Sequence, residues 1–293
     1  MRSADLVTAG EAFEDLVFLD LPRLPRPGEE IKTSSFLRLP GGGAVTTAVA
    51  VARLGGRCRI LSGLGEAAVA LLRSEGIEVT NLRRAGEPHA VTAALSTRGE
   101  RSFVTFNGVN DRLEPRLAAA VRGQRTRHLH FAFYPRDCRR WRRIVAGARR
   151  RGISTSWDFG WNEGLRRDPG FPALAAELDL LFLNEAEARL YSGRARLRDA
   201  LEHWRTRSRN AVIKLGGRGS RWVSNATDVS VPAPRVRVVD TTGAGDAFDG
   251  GFLDAFLRGA GTAACLKAGN RIGALSTRAP GGLSGLPRRR SRR

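Results

Sequence analysis

"DTTGAGDAFDGGF", Asp240 to Phe252, packs four glycines and three aspartates into thirteen residues. After Gly245 the apolar residues Phe248, Phe252, Ala255 and Phe256 fall at helical spacing, so the glycines precede a helix. Before them "RVRVVD", Arg235 to Asp240, alternates like a strand, which makes Thr241–Gly245 the turn that feeds the helix. Uncapped backbone N–H groups at such a terminus, with glycines letting a ligand come close, form an anion site. Asp246 falls in the first helical turn, where a carboxylate complements the helix dipole. In the functional reading the amides of Ala244, Gly245 and Asp246 stabilise a transferring phosphoryl group and the Asp246 carboxylate takes a proton from an attacking hydroxyl. Of the remaining residues, Gly250 and Gly251 are expected to serve close helix packing and Asp249 to be a helix-surface charge. Asp240 is expected to end a strand.

Outward from this stretch, short apolar runs alternate with helical patterns. "ADLVTAG", "CRILSGLG", "TRHLHFAF", "GISTSWDF", "LDLLFLN" and "NAVIKLGG" read as buried strands. "GGGAVTTAVAVARLGG", Gly41 to Gly56, reads as a glycine-led helix closed by glycines. This order predicts an α/β fold, a doubly wound and mostly parallel sheet with helices on both faces. Two regions depart from it, at about 13–36 and 88–108, where alternation and the turn signals "PRPGEE" and "STRGE" predict half-exposed antiparallel strands. They include a hairpin around Arg98 and Gly99, and together they would form a small β lid over a ligand at the carboxyl ends of the parallel strands. A single domain over 1–293 with a basic, disordered tail at 287–293 is expected.

With 293 residues the chain can bury a substantial core, and its three cysteines, Cys58, Cys138 and Cys265, show neither a disulfide framework nor zinc spacing. Reduced thiols in a cytoplasmic protein are the expectation. The N-terminus lacks the layout of a signal peptide, and no stretch has the length of a membrane-spanning segment. Net charge is +20, carried by arginine, with runs at Arg139–Arg143, Arg149–Arg151 and Arg288–Arg293. These read as a solvated helix face and a tail; nucleic-acid binding through them ranks last, because no nucleic-acid motif accompanies them. The four histidines, His89, His128, His130 and His203, have no metal-ligand spacing. A Walker A loop and a GxSxG elbow are both absent.

The stretch at Asp240–Phe252 resembles the C-terminal signature of the ribokinase-like, PfkB-type carbohydrate kinases. "GGGAVTTAVAVARLGG" resembles their N-terminal glycine signature, "LNEAEA" their NExE motif, "VIKLGGRGS" the nucleotide-side strand and turn, and "GNRIGALSTRAPGG" the closing segment. The resemblance implies an ATP- and Mg2+-dependent kinase with Asp246 as base and Gly243, Ala244 and Gly245 as anion hole. It implies that Asp15, Gly41, Gly42, Gly43 and Thr46 meet the sugar, and that Asn184, Lys214, Gly216, Gly219 and Asn270 serve the nucleotide. Glu187 and Asp240 would serve the metal, a monovalent cation such as K+ is a further implied cofactor, and lid strands would pair between subunits as a homodimer. Asn184 and Glu187 also have a plain reading as a helix cap.

Two departures from the family pattern stand out. Thr46 replaces an asparagine that binds substrate hydroxyls in many members, so the sugar contacts must differ. After "LSGLG" the usual acidic loop is shortened, leaving Glu66, and the helix "EAAVALLRSEGI" follows at once. Trp157 and Trp161 are spaced to pack, while Arg166 and Arg167 read equally as ligands for an anion or as a solvated pair. The leading reading is therefore a kinase acting on a primary alcohol of a small sugar or sugar acid. The alternatives are a nucleoside kinase of the same family and a non-catalytic sugar or nucleotide sensor with an impaired loop.

Overall fold

The structure, a computed structural model, describes residues 4–97 and 101–288. The first third of the chain contains β1 (Leu6–Gly10), β2 (Phe13–Leu21), β3 (Phe36–Gly41), α1 (Gly43–Arg53), β4 (Cys58–Ser62), α2 (Glu66–Ser74), β5 (Glu78–Asn81), β6 (Val91–Thr97) and β7 (Arg101–Phe106). The middle contains α3 (Leu113–Arg122), β8 (His128–Ala132), α4 (Cys138–Arg150), β9 (Ser154–Asp158), α5 (Phe171–Glu177), β10 (Leu180–Asn184), α6 (Glu185–Ser192) and α7 (Leu197–Arg207). The remainder contains β11 (Ala211–Lys214), β12 (Ser220–Val223), β13 (Asp228–Val231), α8 (Ala244–Leu257) and α9 (Thr262–Ser276).

Among the described residues the main sheet runs β13-β12-β11-β10-β9-β8-β1-β4-β5. From β5 to β11 every neighbour is parallel, and β12 and β13 add an antiparallel edge. Strands covered on both faces read as continuous apolar runs, and β1 and β8 are buried throughout. One core packs α3 to α7 on one face, with Phe131, Trp141 and Trp157 at its centre; the other packs α1, α2, α8 and α9. Trp157 thus packs as expected, whereas Trp161 is 56% exposed.

Two buried histidines of β8 bond to serine hydroxyls of β9. His128 pairs with the hydroxyls of Ser154 and Ser156 at 2.7 Å, and His130 Nδ1 with Ser156 at 2.8 Å. Burial pushes both imidazoles down to about 3, so they stay neutral.

The second sheet runs β3-β2-β6-β7. Its outer pairs are antiparallel, as expected, but its central pair, β2 with β6, is parallel. The tip of the hairpin at Arg98 and Gly99, and the tail from residue 289 on, lie outside the described residues. The strand expected at "RVRVVD" does not form. That segment follows the edge strand β13 and pairs with no strand of the sheet. Val238 and Val239 are left exposed, and the amides of Val239 and Asp240 instead donate to the Thr277 carbonyl.

Helices α1 and α8 touch where both are nearly bare. A Cβ on Gly250 would lie 2.5 Å from the Ala50 Cβ and 3.0 Å from the Thr47 carbonyl oxygen, and one on Gly251 would lie 2.7 Å from Ile272 of α9. Gly250→Ala should therefore cost about 1–3 kcal/mol through forced separation of the helices. Thermal unfolding checks this, with Gly123→Ala, which meets open space, staying within about 0.5 kcal/mol of the parent.

Candidate active site

Helix α8 begins at Gly243, whose φ of 69° turns the chain from the Thr241–Gly243 loop into the helix. No side chain caps this terminus. The Ala244 amide is used in the turn, donating to the Thr241 carbonyl at 3.2 Å, so Gly245 and Asp246 carry the uncommitted first-turn amides. Helix α1 starts nearby, at Gly43 after Gly42 with φ 100°. A Cβ on Gly43 would lie 2.9 Å from Asp246 Oδ1, so the carboxylate sits against the start of a second helix. The Thr47 hydroxyl donates to the Asp246 carbonyl at 3.1 Å and ties the two helices together. Burial, followed by the negative charge of Asp158, pushes the Asp246 carboxyl up to about 7, against the opposing pull of Lys214.

Two cavities flank Gly243–Asp246. The smaller, about 150 Å³, is lined by Asp15, Gly41, Gly42, Thr46, Gly243 and Asp246, and by Thr92, Phe103, Gly281 and Gly282, which the sequence had not singled out. A Cβ on Gly41 would lie 1.9 Å from Asp15 Oδ2, so only glycine leaves that carboxylate its place. Burial raises Asp15 to about 6. The second cavity, about 240 Å³, is bounded by Lys214, Gly216, Gly219 and Asn270, together with Ala244, Gly245 and the apolar Val236, Val238 and Phe248. The Asn270 side-chain amide donates to the Val231 carbonyl at 3.0 Å and so holds the edge of this cavity against β13. A larger cavity of about 550 Å³ lies by the base of the lid, between Arg38, Arg83 and His89 and the start of α2 at Glu66. It is where the shortened loop falls, and no residue of Thr241–Asp246 lines it.

One expected placement is corrected. Asp249 is no surface charge: its side chain is fully buried and faces Lys214, whose ammonium lies 3.2 Å from both of its oxygens and 2.6 Å from Asp158 Oδ2. Helical phase alone could not show this, because α8 is covered on several sides. Burial works against charge on all three groups. The carboxylates nevertheless hold Lys214 charged, Lys214 holds Asp158 ionised, and Asp249 is raised well above its usual range beside Asp158. Asp240 braces two loops, accepting from the amides of Thr242 and Gly281 at 2.7 Å each. Among the described residues the group of acids with metal-ligand spacing is Asp158, Asp246 and Asp249, whose oxygens lie within 4.8 Å of one another. It includes neither Asp240 nor Glu187. Asp158 was not among the expected site residues; it carries no motif, and its only signal is its place at the carboxyl end of a buried strand.

Asn184 and Glu187 form a complete capping box at the start of α6, with bonds of 2.9 and 2.8 Å, and line neither flanking cavity. Burial and then the charge of Asp158 raise Glu187 to about 7. Arg166 and Arg167 are exposed.

This arrangement puts a strand-end carboxylate cluster, two helix N-termini and two cavities at one edge of the sheet. The model of the pfkB family of carbohydrate kinases matches residues 3–289. The chain belongs to this family. As a pfkB-family kinase it is a phosphotransferase. It is 29% identical to the aminoimidazole riboside kinase of Salmonella typhimurium over 280 residues, 87% of each chain. It is 26% identical to the ribokinase of Bacillus subtilis over 294 residues, 97% of each. The fold is also that of the Arabidopsis thaliana ribokinase solved with ribose and ATP, with a TM-score of 0.79 at 22% identity, covering 99% of this chain and 97% of that one. Among the described residues no helix of this pfkB kinase is long and apolar enough to cross a membrane.

A methyl group at Gly43 would press on the Asp246 carboxylate and on Ala132, both at 2.9 Å. Gly43→Ala should lower turnover at least tenfold, since about 1.4 kcal/mol of lost transition-state stabilisation is enough for that. Steady-state kinetics of the variant beside its melting curve separates this from unfolding.

Proposed function

We propose that this kinase transfers the γ-phosphoryl group of ATP to a hydroxyl, a primary alcohol, of a small sugar or sugar acid. The observation that carries this is the position of Gly243–Asp246 between the two cavities. Asp246 lines the small one with Asp15 and Thr46, while Ala244 and Gly245 line the other with the glycines after β11. The nucleotide fits the second cavity, whose apolar wall suits a base and whose glycines allow phosphates to approach the backbone. The acceptor fits the first, where Asp15 and the Thr46 hydroxyl meet its hydroxyls. Asp246 takes the proton from the reacting hydroxyl, and the hydroxyl oxygen attacks the γ-phosphorus in line with the bond to ADP, which breaks as ADP leaves. The amides of Gly245 and Asp246 take up the charge developing on the transferring group. Raised to about 7, Asp246 is a stronger base than an ordinary carboxylate.

Mg2+ suits the hard oxygen donors here, and when bound it neutralises phosphate charge. Glu187, with one oxygen committed to the α6 cap, and Asn184 would hold it through water. A K+ effect would act through the two loops that Asp240 braces, and a comparison of KCl with NaCl reads it. A nucleoside acceptor is the second reading, favoured by the riboside kinase among the relatives. A sensor role would show as ligand-induced stabilisation without ATP consumption.

ATP turnover across sugars, sugar acids and nucleosides tests the assignment. Asp246→Asn should lose about a hundredfold or more in kcat while ATP still raises the melting temperature; an Asn variant with parental turnover overturns the role. Because only the deprotonated carboxylate accepts a proton, kcat/KM should rise with pH through about 7.

The lid leaves Phe103, Val104 and Phe106 more than half exposed. We place a homodimer contact on this sheet. Sedimentation should show a dimer that Val104→Glu dissociates; a monomeric parent refutes it.

A further inference from the structure

The buried Lys214 is more than a wall of the second cavity. Its ammonium lies at the end of β11, 2.6 Å from Asp158 at the end of β9 and 3.2 Å from both oxygens of Asp249 on α8. Asp249 follows Asp246 by three residues, one helical turn further along. A Cβ on Gly245 would lie 3.2 Å from the same ammonium, so the charge sits directly beneath the backbone of the anion site. The Phe182 ring of β10 lies beneath it, with its centroid 5.9 Å from the nitrogen.

Three carboxyl groups at metal-ligand spacing cannot all stay ionised unless a cation stands among them. Here the chain supplies that cation itself. The packing of α8 against α1 and α9 through Gly250 and Gly251 sets the middle of the helix. The Lys214 ammonium joins α8 at Asp249, in its second turn, to the ends of β9 and β11.

We propose that Lys214 is a positioning residue: its ammonium, clamped between Asp158 and Asp249, locks the second turn of α8, directly behind the first-turn amides, to the ends of β9 and β11. It thereby fixes the relative places of Asp246 and the Gly245 and Asp246 amides. The effect on turnover rests on the kinase reading above; the clamp on the helix does not.

Removing one partner of a buried ion pair leaves an uncompensated charge, so Lys214→Met alone will be unstable. The decisive variant is Lys214→Met with Asp158→Asn, which removes both charges. Asp249→Asn, which keeps the side-chain shape, is the second. Each is compared with the parent by hydrogen exchange of the peptide covering 244–250, by melting temperature, and by kcat and KM for ATP and acceptor.

The clamp predicts a double variant that melts within a few degrees of the parent but exchanges 244–250 at least tenfold faster. It also predicts a kcat at least tenfold lower, with KM for ATP within threefold. Asp249→Asn should shift in the same sense. Unchanged exchange and kcat overturn the proposal and leave an inert ion pair. A tenfold rise in KM for ATP with kcat kept also overturns it, assigning Lys214 to direct nucleotide contact. If the parent phosphorylates no acceptor, the kinase reading fails, and the exchange data still decide the clamp. Asp246→Asn separates the two roles, since it should lose turnover while exchange over 244–250 stays parental.

Discussion

The close approach of α1 and α8 is the constraint on which the rest of the site depends. Both helices begin in glycine-rich turns at the carboxyl edge of the main sheet, and both expose their N-termini to the same carboxylate. Only bare Cα atoms at Gly43 and Gly250 allow that distance, since a methyl at either position would meet Asp246 or Ala50. Once the helices are this close, the dipoles of both favour negative charge at one point. The small cavity under the lid and the cavity beside Gly216 then open on opposite sides of the same turn.

Electrostatic balance follows from that geometry. Asp246, Glu187, Asp158 and Asp249 converge on one edge of the sheet, and burial disfavours charge on each of them. A single buried ammonium opposes them all. It stabilises the ionised form of Asp158 most, at 2.6 Å, and leaves Asp246 near neutrality, where a carboxylate can both take and release a proton. The two acids that the family motifs bring into view, Asp246 and Glu187, are thus pushed up by burial and then by Asp158, which carries no readable motif role, against the pull of Lys214.

Much of the fold was legible because its signals are local. Apolar runs marked the buried parallel strands, glycine clusters marked helix starts and ends, and alternation marked the lid. The errors share a cause. "RVRVVD" alternates like a strand, but a strand needs a neighbouring strand to pair with, and the Val239 and Asp240 amides of that segment donate instead to the Thr277 carbonyl. Asp249 seemed exposed because periodicity gives the phase of a helix and not how many elements cover it. The parallel pairing of β2 with β6 sets Glu14 beside Val91, far apart in the chain, and neither segment's pattern states its direction relative to the other.

By itself the sequence determined the alternation of strands and helices, the anion-ready turn at Thr241–Gly245, the cap at Asn184–Glu187 and the bare surfaces at Gly250 and Gly251. Those properties depend on residues within one or two turns of each other. Only the tertiary structure decided that Asp158, Lys214 and Asp249 meet beneath that turn, that Asp240 braces two loops, and that Asp15 faces Asp246 across a small cavity. Each of these joins side chains from separate strands and helices. Their meeting is set by how the sheet and its covering helices pack, which no local pattern encodes.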